Sequence, residues 1–242
     1  MKLLHLLLVL AAASAAACGS DGSSPGSPSE TVTGLTISPQ TDFIKLKASE
    51  KFTAMAQLPS GATKEVAPRW GSDTTSVATV DTNGLVTAVG VGSATITADY
   101  QGLRATRLIQ VLPDYAGRWT GDFVVTSCSV TGGFQAQWCT QIRALPALPA
   151  RLDLVQTRSA VSGTWTLQED ATGSVTGTIS SGGRLTLQGS VFRGNLTITI
   201  SSWDSVTTDN QTMTGTFTLT WTAAGVSGSA RTGVSLRGFE RP

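Results

Sequence analysis

The side chains that most often carry catalysis or hold metals are scarce in this chain of 242 residues, which has one histidine, three cysteines and 16 carboxylates. The histidine, His5, lies in an apolar N-terminal run. If that run is removed, no imidazole remains for a nucleophile triad, a zinc site or a general base. Glu169 and Asp170 form an adjacent acidic pair, but they fall where a solvated turn is expected. Asp204 and Asp209 follow Trp203 and could reach a calcium ion, yet two carboxylates without a loop motif are thin support. Arg143, Arg151 and Arg158 would make a small anion-attracting patch if they converged; ordinary surface arginines are the simpler reading. No phosphate-binding loop, nucleophile elbow or paired-histidine zinc pattern occurs. The chemistry-bearing residues therefore predict a non-enzyme with no cofactor and no metal.

The cysteines carry more information. Residues 1–17, MKLLHLLLVLAAASAAA, combine one Lys, an apolar core from Leu3 to Leu10 and a run of small residues. That is the layout of a secretory signal, too short for a comfortable membrane span. Ala15-Ala16-Ala17-Cys18 resembles the bacterial lipobox, although Ala15 stands where Leu is preferred. The resemblance implies cleavage before Cys18 and lipidation of that residue; ordinary secretion with a spare thiol is the alternative. Gly19, in place of Asp, implies the outer membrane if the host is diderm. Residues 18–31 then read as the lipidated cysteine and a Gly/Ser/Pro tether, reaching roughly 40 Å when extended. Cys128 and Cys139 remain as an even pair in an exported chain, which predicts a disulfide over two buried thiols.

Composition sets the frame around these residues. Charged residues make up 14% of the chain and 26 glycines are present. Thr, Val, Ser and Gly at this density suit strands and turns rather than helices. Loss of a leader carrying Lys2 would leave 16 basic side chains against 16 acidic. That balance excludes an electrostatic footprint for nucleic acid or for anionic lipid headgroups. The length allows two domains with separate cores, which we place at 32–112 and 113–242.

In the first of these, short alternating runs are broken by turn signals. Phe52, Ala54, Ala56 and Leu58 alternate, and Asp81-Thr82-Asn83-Gly84 is a hairpin-type turn between apolar runs. The residues Trp70-Gly71-Ser72-Asp73, Val77-Ala78-Thr79-Val80-Asp81, Gly84-Leu85-Val86-Thr87-Ala88 and Gly92-Ser93-Ala94-Thr95-Ile96-Thr97-Ala98 carry a resemblance to the bacterial Ig-like group 2 domain. The resemblance implies a β-sandwich acting as an extracellular spacer or adhesion module, with Trp70 plugging the core.

The second domain is written as eight alternating segments, at 116–127, 150–158, 160–169, 173–180, 183–192, 194–203, 211–222 and 225–238. Short turns join most of them, so antiparallel neighbours and closure into an up-and-down barrel are expected. The predicted fold is therefore all-β, an Ig-like β-sandwich followed by an eight-stranded antiparallel β-barrel. Gly117-Arg118-Trp119 resembles the opening of lipocalin-like and avidin-like barrels, which implies that Trp119 plugs one end beneath a late-strand Arg, here Arg237. Glycines recur on the apolar face at Gly121, Gly163, Gly177, Gly215 and Gly228. They are either bending points or, with Trp119, Trp165 and Phe217, the lining of a space cleared for a ligand.

Three functions follow from this layout. One is a membrane-anchored envelope protein whose Ig-like spacer presents a barrel that takes a small apolar ligand. Another is a structural or adhesive protein with a packed barrel. It would contact an envelope protein or glycan through the insert 127–149, where Phe134 and Trp138 are the contact candidates. A hydrolase is the poorest reading, because the apolar face of strands three to eight contains no carboxylate.

Overall fold

The computed structural model describes residues 30–132, 137–168, 171–207, 209–223 and 225–238. The chain divides into Met1–Thr31 and Val32–Pro242. Cys18 and the leader lie outside the described residues, as do Phe134, Glu169 and Asp170.

Val32 onwards first forms ten short strands. They are β1 (Gly34–Ser38), β2 (Phe43–Lys45), β3 (Ser49–Lys51), β4 (Thr53–Gln57), β5 (Thr63–Val66), β6 (Arg69–Ser72), β7 (Ala78–Val80), β8 (Leu85–Ala88), β9 (Gly92–Tyr100) and β10 (Leu103–Leu112). They pair as β1-β4-β5, β2-β10-β9-β6 and β3-β8-β7. Inward side chains meet in one apolar cluster, with Phe52, Ile96 and Ile109 fully buried. Trp70 is not the plug that the sequence suggested. It is only partly buried and packs against this cluster from β6. Its indole occupies the room left by Gly84, whose absent Cβ would lie 2.9 Å from the ring. Gly84 turns the β7–β8 hairpin at φ 84°, where a side chain would be strained. Asp81 accepts hydrogen bonds there from the backbone of Asn83 and Leu85. Those bonds hold its carboxyl below the usual range.

A closed barrel follows: β11 (Gly117–Gly132), β12 (Leu148–Thr157), β13 (Ala160–Leu167), β14 (Ala171–Ile179), β15 (Leu185–Arg193), β16 (Leu196–Val206), β17 (Thr212–Ala223) and β18 (Val226–Gly238), each antiparallel to the next, with β18 returning to β11. One face of each strand is buried and the other carries hydroxyls, as period-2 patterning requires. Cross-strand pairs such as Ser129 with Ser229 at 2.9 Å and Thr131 with Ser227 at 2.7 Å line the outside.

Two strands carry an extra residue. On β11 the register slips between Val125 and Ser127. On β16 both neighbours slip beside Ser201 and Ser202. A bulge exchanges the inward and outward positions beyond it. Cys128 and Val130 consequently pack against the barrel core where Val124, before the bulge, is exposed. The insert expected as a loop from residue 127 is therefore partly strand. Beyond it, α1 (Gln137–Ala144) is held to β11 by the Cys128–Cys139 disulfide.

The barrel has two unlike ends. At the end where β11 begins, Trp119 is buried and its Nε1 donates to the Tyr115 carbonyl at 2.8 Å. Arg237 does not cover it. Leu236 takes the inward position, which leaves Arg237 outward and exposed. Gly238 instead lies against the Trp119 ring. The turns at this end reach the sandwich: Arg158 pairs with Asp42, Gly183 abuts Val91 and Pro113, and Asn210 Nδ2 donates to the Leu46 carbonyl at 3.4 Å. Lys45 and Asp114 form an ion pair at 3.1 Å across the junction. At the opposite end, where β13, β15 and β17 finish, the barrel has its mouth.

Candidate functional site

Mid-barrel, the interior is filled by aromatic rings. Phe217 stacks on Trp203 with centroids 4.8 Å apart and meets Trp165 and Phe123 edge-on at 5.6 and 5.4 Å. These rings separate the Trp119 plug from the mouth. Above them, toward the end where β13, β15 and β17 finish, a cavity of about 200 Å³ opens.

Its walls come from strand ends that point apolar side chains inward: Phe123 and Val125 of β11, Leu148 of β12, Leu196 and Ile198 of β16, and Leu219 and Trp221 of β17. Two small residues leave the volume, Ala171 on β14 and Ala230 on β18. Ile142 closes one side from α1. It stands one helical turn from Cys139, so the disulfide fixes it in place. The polar rim consists of Gln168 and Arg193, with Arg193 Nη1 donating to Gln168 Oε1 at 3.2 Å. An interior so apolar can hold an apolar molecule, and Gln168 and Arg193 are the polar side chains among its described lining residues.

The residues expected to line a cavity lie elsewhere. Trp119 is in the closed end, and Trp165 and Phe217 are in the mid-barrel cluster. At Gly121, Gly163, Gly177 and Gly215 an added Cβ would fall 2.3, 2.0, 1.8 and 2.2 Å from a carbonyl oxygen of the adjacent strand. Those four glycines serve close strand approach rather than empty space. Gly228 contributes indirectly, because its missing side chain admits the Trp221 ring, which does line the cavity. The inward alanines were the signal that sequence reasoning passed over.

Other candidate groups are occupied locally. Arg151 and Arg118 both bond Asp153, while Arg158 serves the sandwich junction at the other end, so the arginine patch does not assemble. Asp204 takes the Arg184 guanidinium through two bonds of 2.8 and 2.6 Å. Asp209 accepts from the backbone of Thr212 and Gln211, which lowers its pKa. Trp138 lies on α1 rather than in a loop.

In the sandwich, the paired sheets, the Gly84 turn and the Trp70 contact fit one known domain type. Residues 31–101 match the bacterial Ig-like domain (group 2). The Ig-like domain thus accounts for most of the region that forms β1 to β10, and the barrel lies beyond the matched residues. The chain is also 32% identical over 82 residues to ice-binding protein 1 of Shewanella frigidimarina (strain NCIMB 400). That match covers 33% of this chain, and 9% of the length of the Shewanella protein. Among solved structures, domains 4–9 of the surface layer protein SbsC align over 86% of this chain and 31% of theirs, with TM-score 0.33 and 14% identity. Domains 5–6 of the same protein align over 88% of this chain and 99% of theirs, with TM-score 0.30 and 14% identity.

Proposed function

We propose that this chain is an exported, non-catalytic surface protein in which the Ig-like domain carries a barrel that binds a small apolar molecule at its mouth. The cavity carries this reading: about 200 Å³, walled almost wholly by aliphatic and aromatic side chains. A dry apolar cavity of about 150 Å³ accommodates benzene, so the ligand has the bulk of one ring or a short acyl chain. The bacterial Ig-like match and the disulfide support export to an oxidising compartment. Lipidation at Cys18 would anchor the chain in the envelope, in the outer membrane if the host is diderm.

Native mass spectrometry of the full chain, recovered from its own envelope without denaturation, tests the binding function. A reproducible added mass that leaves on denaturation is expected, and Ala230→Phe, which fills the cavity, should abolish it. A folded chain with only its covalent mass, and no saturable uptake of a small aromatic dye, would remove the carrier reading. For the anchor, Cys18→Ala should move the chain from the membrane to the soluble fraction; continued membrane retention would count against lipidation.

A further inference from the structure

The outside of the barrel carries hydroxyls all round, and one sector of it is concave. Across β14, β15 and β16 lies a shallow groove of about 420 Å³. Ser174, Ser190 and Thr199 stand in one rung across the three strands. Thr176 and Gln188 form the next rung, and Ser201 sits at the β16 bulge. Such a bulge sharpens the local twist and turns the strand away from its neighbour. Two residues beyond Ser190, on the same outward face of β15, Phe192 is 68% exposed. An aromatic ring this open on an otherwise hydroxyl-bearing strand is not explained by core packing.

The chemistry of these groups is specific. The side chains on the groove are uncharged, and hydroxyls and carboxamides both donate and accept hydrogen bonds. The next outward charges along the strands, Arg184 and Asp204, neutralise each other. Among the described residues that line the groove, none carries a charge that would select an anion or a cation. A ligand that presents hydroxyls along its edge and a flat C–H surface to an exposed ring is a pyranose sugar. Three strands about 4.8 Å apart span about 10 Å, the length of about two such units.

We propose that the β14–β16 groove binds a neutral oligosaccharide segment, with Phe192 stacking on one ring and Ser190, Gln188 and Thr199 bonding hydroxyls of the next. This site is separate from the mouth cavity and does not depend on it. The full chain, produced by export so that the disulfide forms, would be labelled with nitrogen-15 and titrated with maltohexaose, cellohexaose and chitohexaose. Saturable shifts confined to β14–β16 are expected with at least one of them. Phe192→Ala should weaken that binding by about tenfold or more, and Gln188→Ala should weaken it less. Both side chains are exposed, so the variants should keep the parent spectrum elsewhere. Ala230→Phe should leave sugar binding intact. Absence of saturable shifts with all three sugars at millimolar concentration would overturn the proposal. So would shifts mapping to other strands, an unchanged affinity in Phe192→Ala, or binding of polygalacturonate in preference to every neutral sugar.

Discussion

Tyr115 ties the closed end together. Its hydroxyl donates to the Gly183 carbonyl at 2.7 Å and accepts from the Thr207 amide at 3.2 Å, while its own amide donates to Gln156 Oε1 at 2.7 Å. Burial pushes its phenol from 10.0 up to about 12. A raised phenol pKa adds stability below the unfolded value, and that contribution is lost as pH rises through the folded one. Unfolding free energy should therefore decline between these two values, and a spectrophotometric titration should show one tyrosine ionising only near the upper end. Tyr115→Phe should cost about 1–3 kcal/mol by denaturant unfolding and flatten that alkaline decline. Carboxylates act in the opposite window. Asp209, held by the amides of Thr212 and Gln211, and Asp73, held by the Thr95 amide, both sit below the ordinary 3.8. Their contribution is complete above that value and disappears as pH falls through their lowered pKa values, so Asp209→Asn should soften the acid transition. Gly163→Ala places a methyl group 2.0 Å from the Asp153 carbonyl oxygen. It should destabilise by about 1–3 kcal/mol, the usual cost of forcing atoms into a packed site.

Among the elements, α1 and the two bulged strands show where sequence patterning stops being readable. Alternation alone located all the barrel strands, because hydrophobic and hydroxyl residues keep strict period along β13, β14 and β17. It ended β11 at residue 127 and β16 at 203, whereas the strands run to Gly132 and Val206. In both cases a bulge reverses the phase, so Cys128, Val130, Trp203 and Ser205 look misplaced to a period-2 count although they all take inward positions. The residues that line the cavity escaped notice for a related reason. Its volume comes from Ala171 and Ala230, ordinary small residues, and from a helix that the Cys128–Cys139 spacing alone did not suggest. That helix should matter to binding. Replacing both cysteines by Ser releases a loop whose ends lie 11 positions apart in sequence. The change should lower stability by about 2–3 kcal/mol in the loop-entropy account. It should also weaken uptake of an apolar dye, because Ile142 is no longer held in the wall.

At the scale of the whole molecule, the two ends of the barrel answer to different demands. The turns that carry Arg158, Gly183 and Asn210 serve the junction with the Ig-like domain through those residues. The β15–β16 turn, at Gly194 and Asn195, lies at the other end of the barrel. A short Gly/Ser insertion between β15 and β16 should leave the thermal transition nearly unchanged, whereas the same insertion between β16 and β17 should lower it and separate the domains into two transitions. Calorimetry of both variants distinguishes these outcomes. The pairing at the barrel seam also decides how the molecule would meet a mechanical load. The first strand enters and the last strand leaves at the same end, with Trp119 opposite Gly238. Tension between those two points would peel β11 from β18 like a zipper, one rung at a time. In the Ig-like domain, β2 runs parallel to β10, with Phe43 beside Gln110 and Lys45 beside Leu112. Tension there would slide the strands past each other and load their rungs together. Under the same tension the barrel seam would yield rung by rung, while the β2–β10 pair of the Ig-like domain would hold until its rungs broke together.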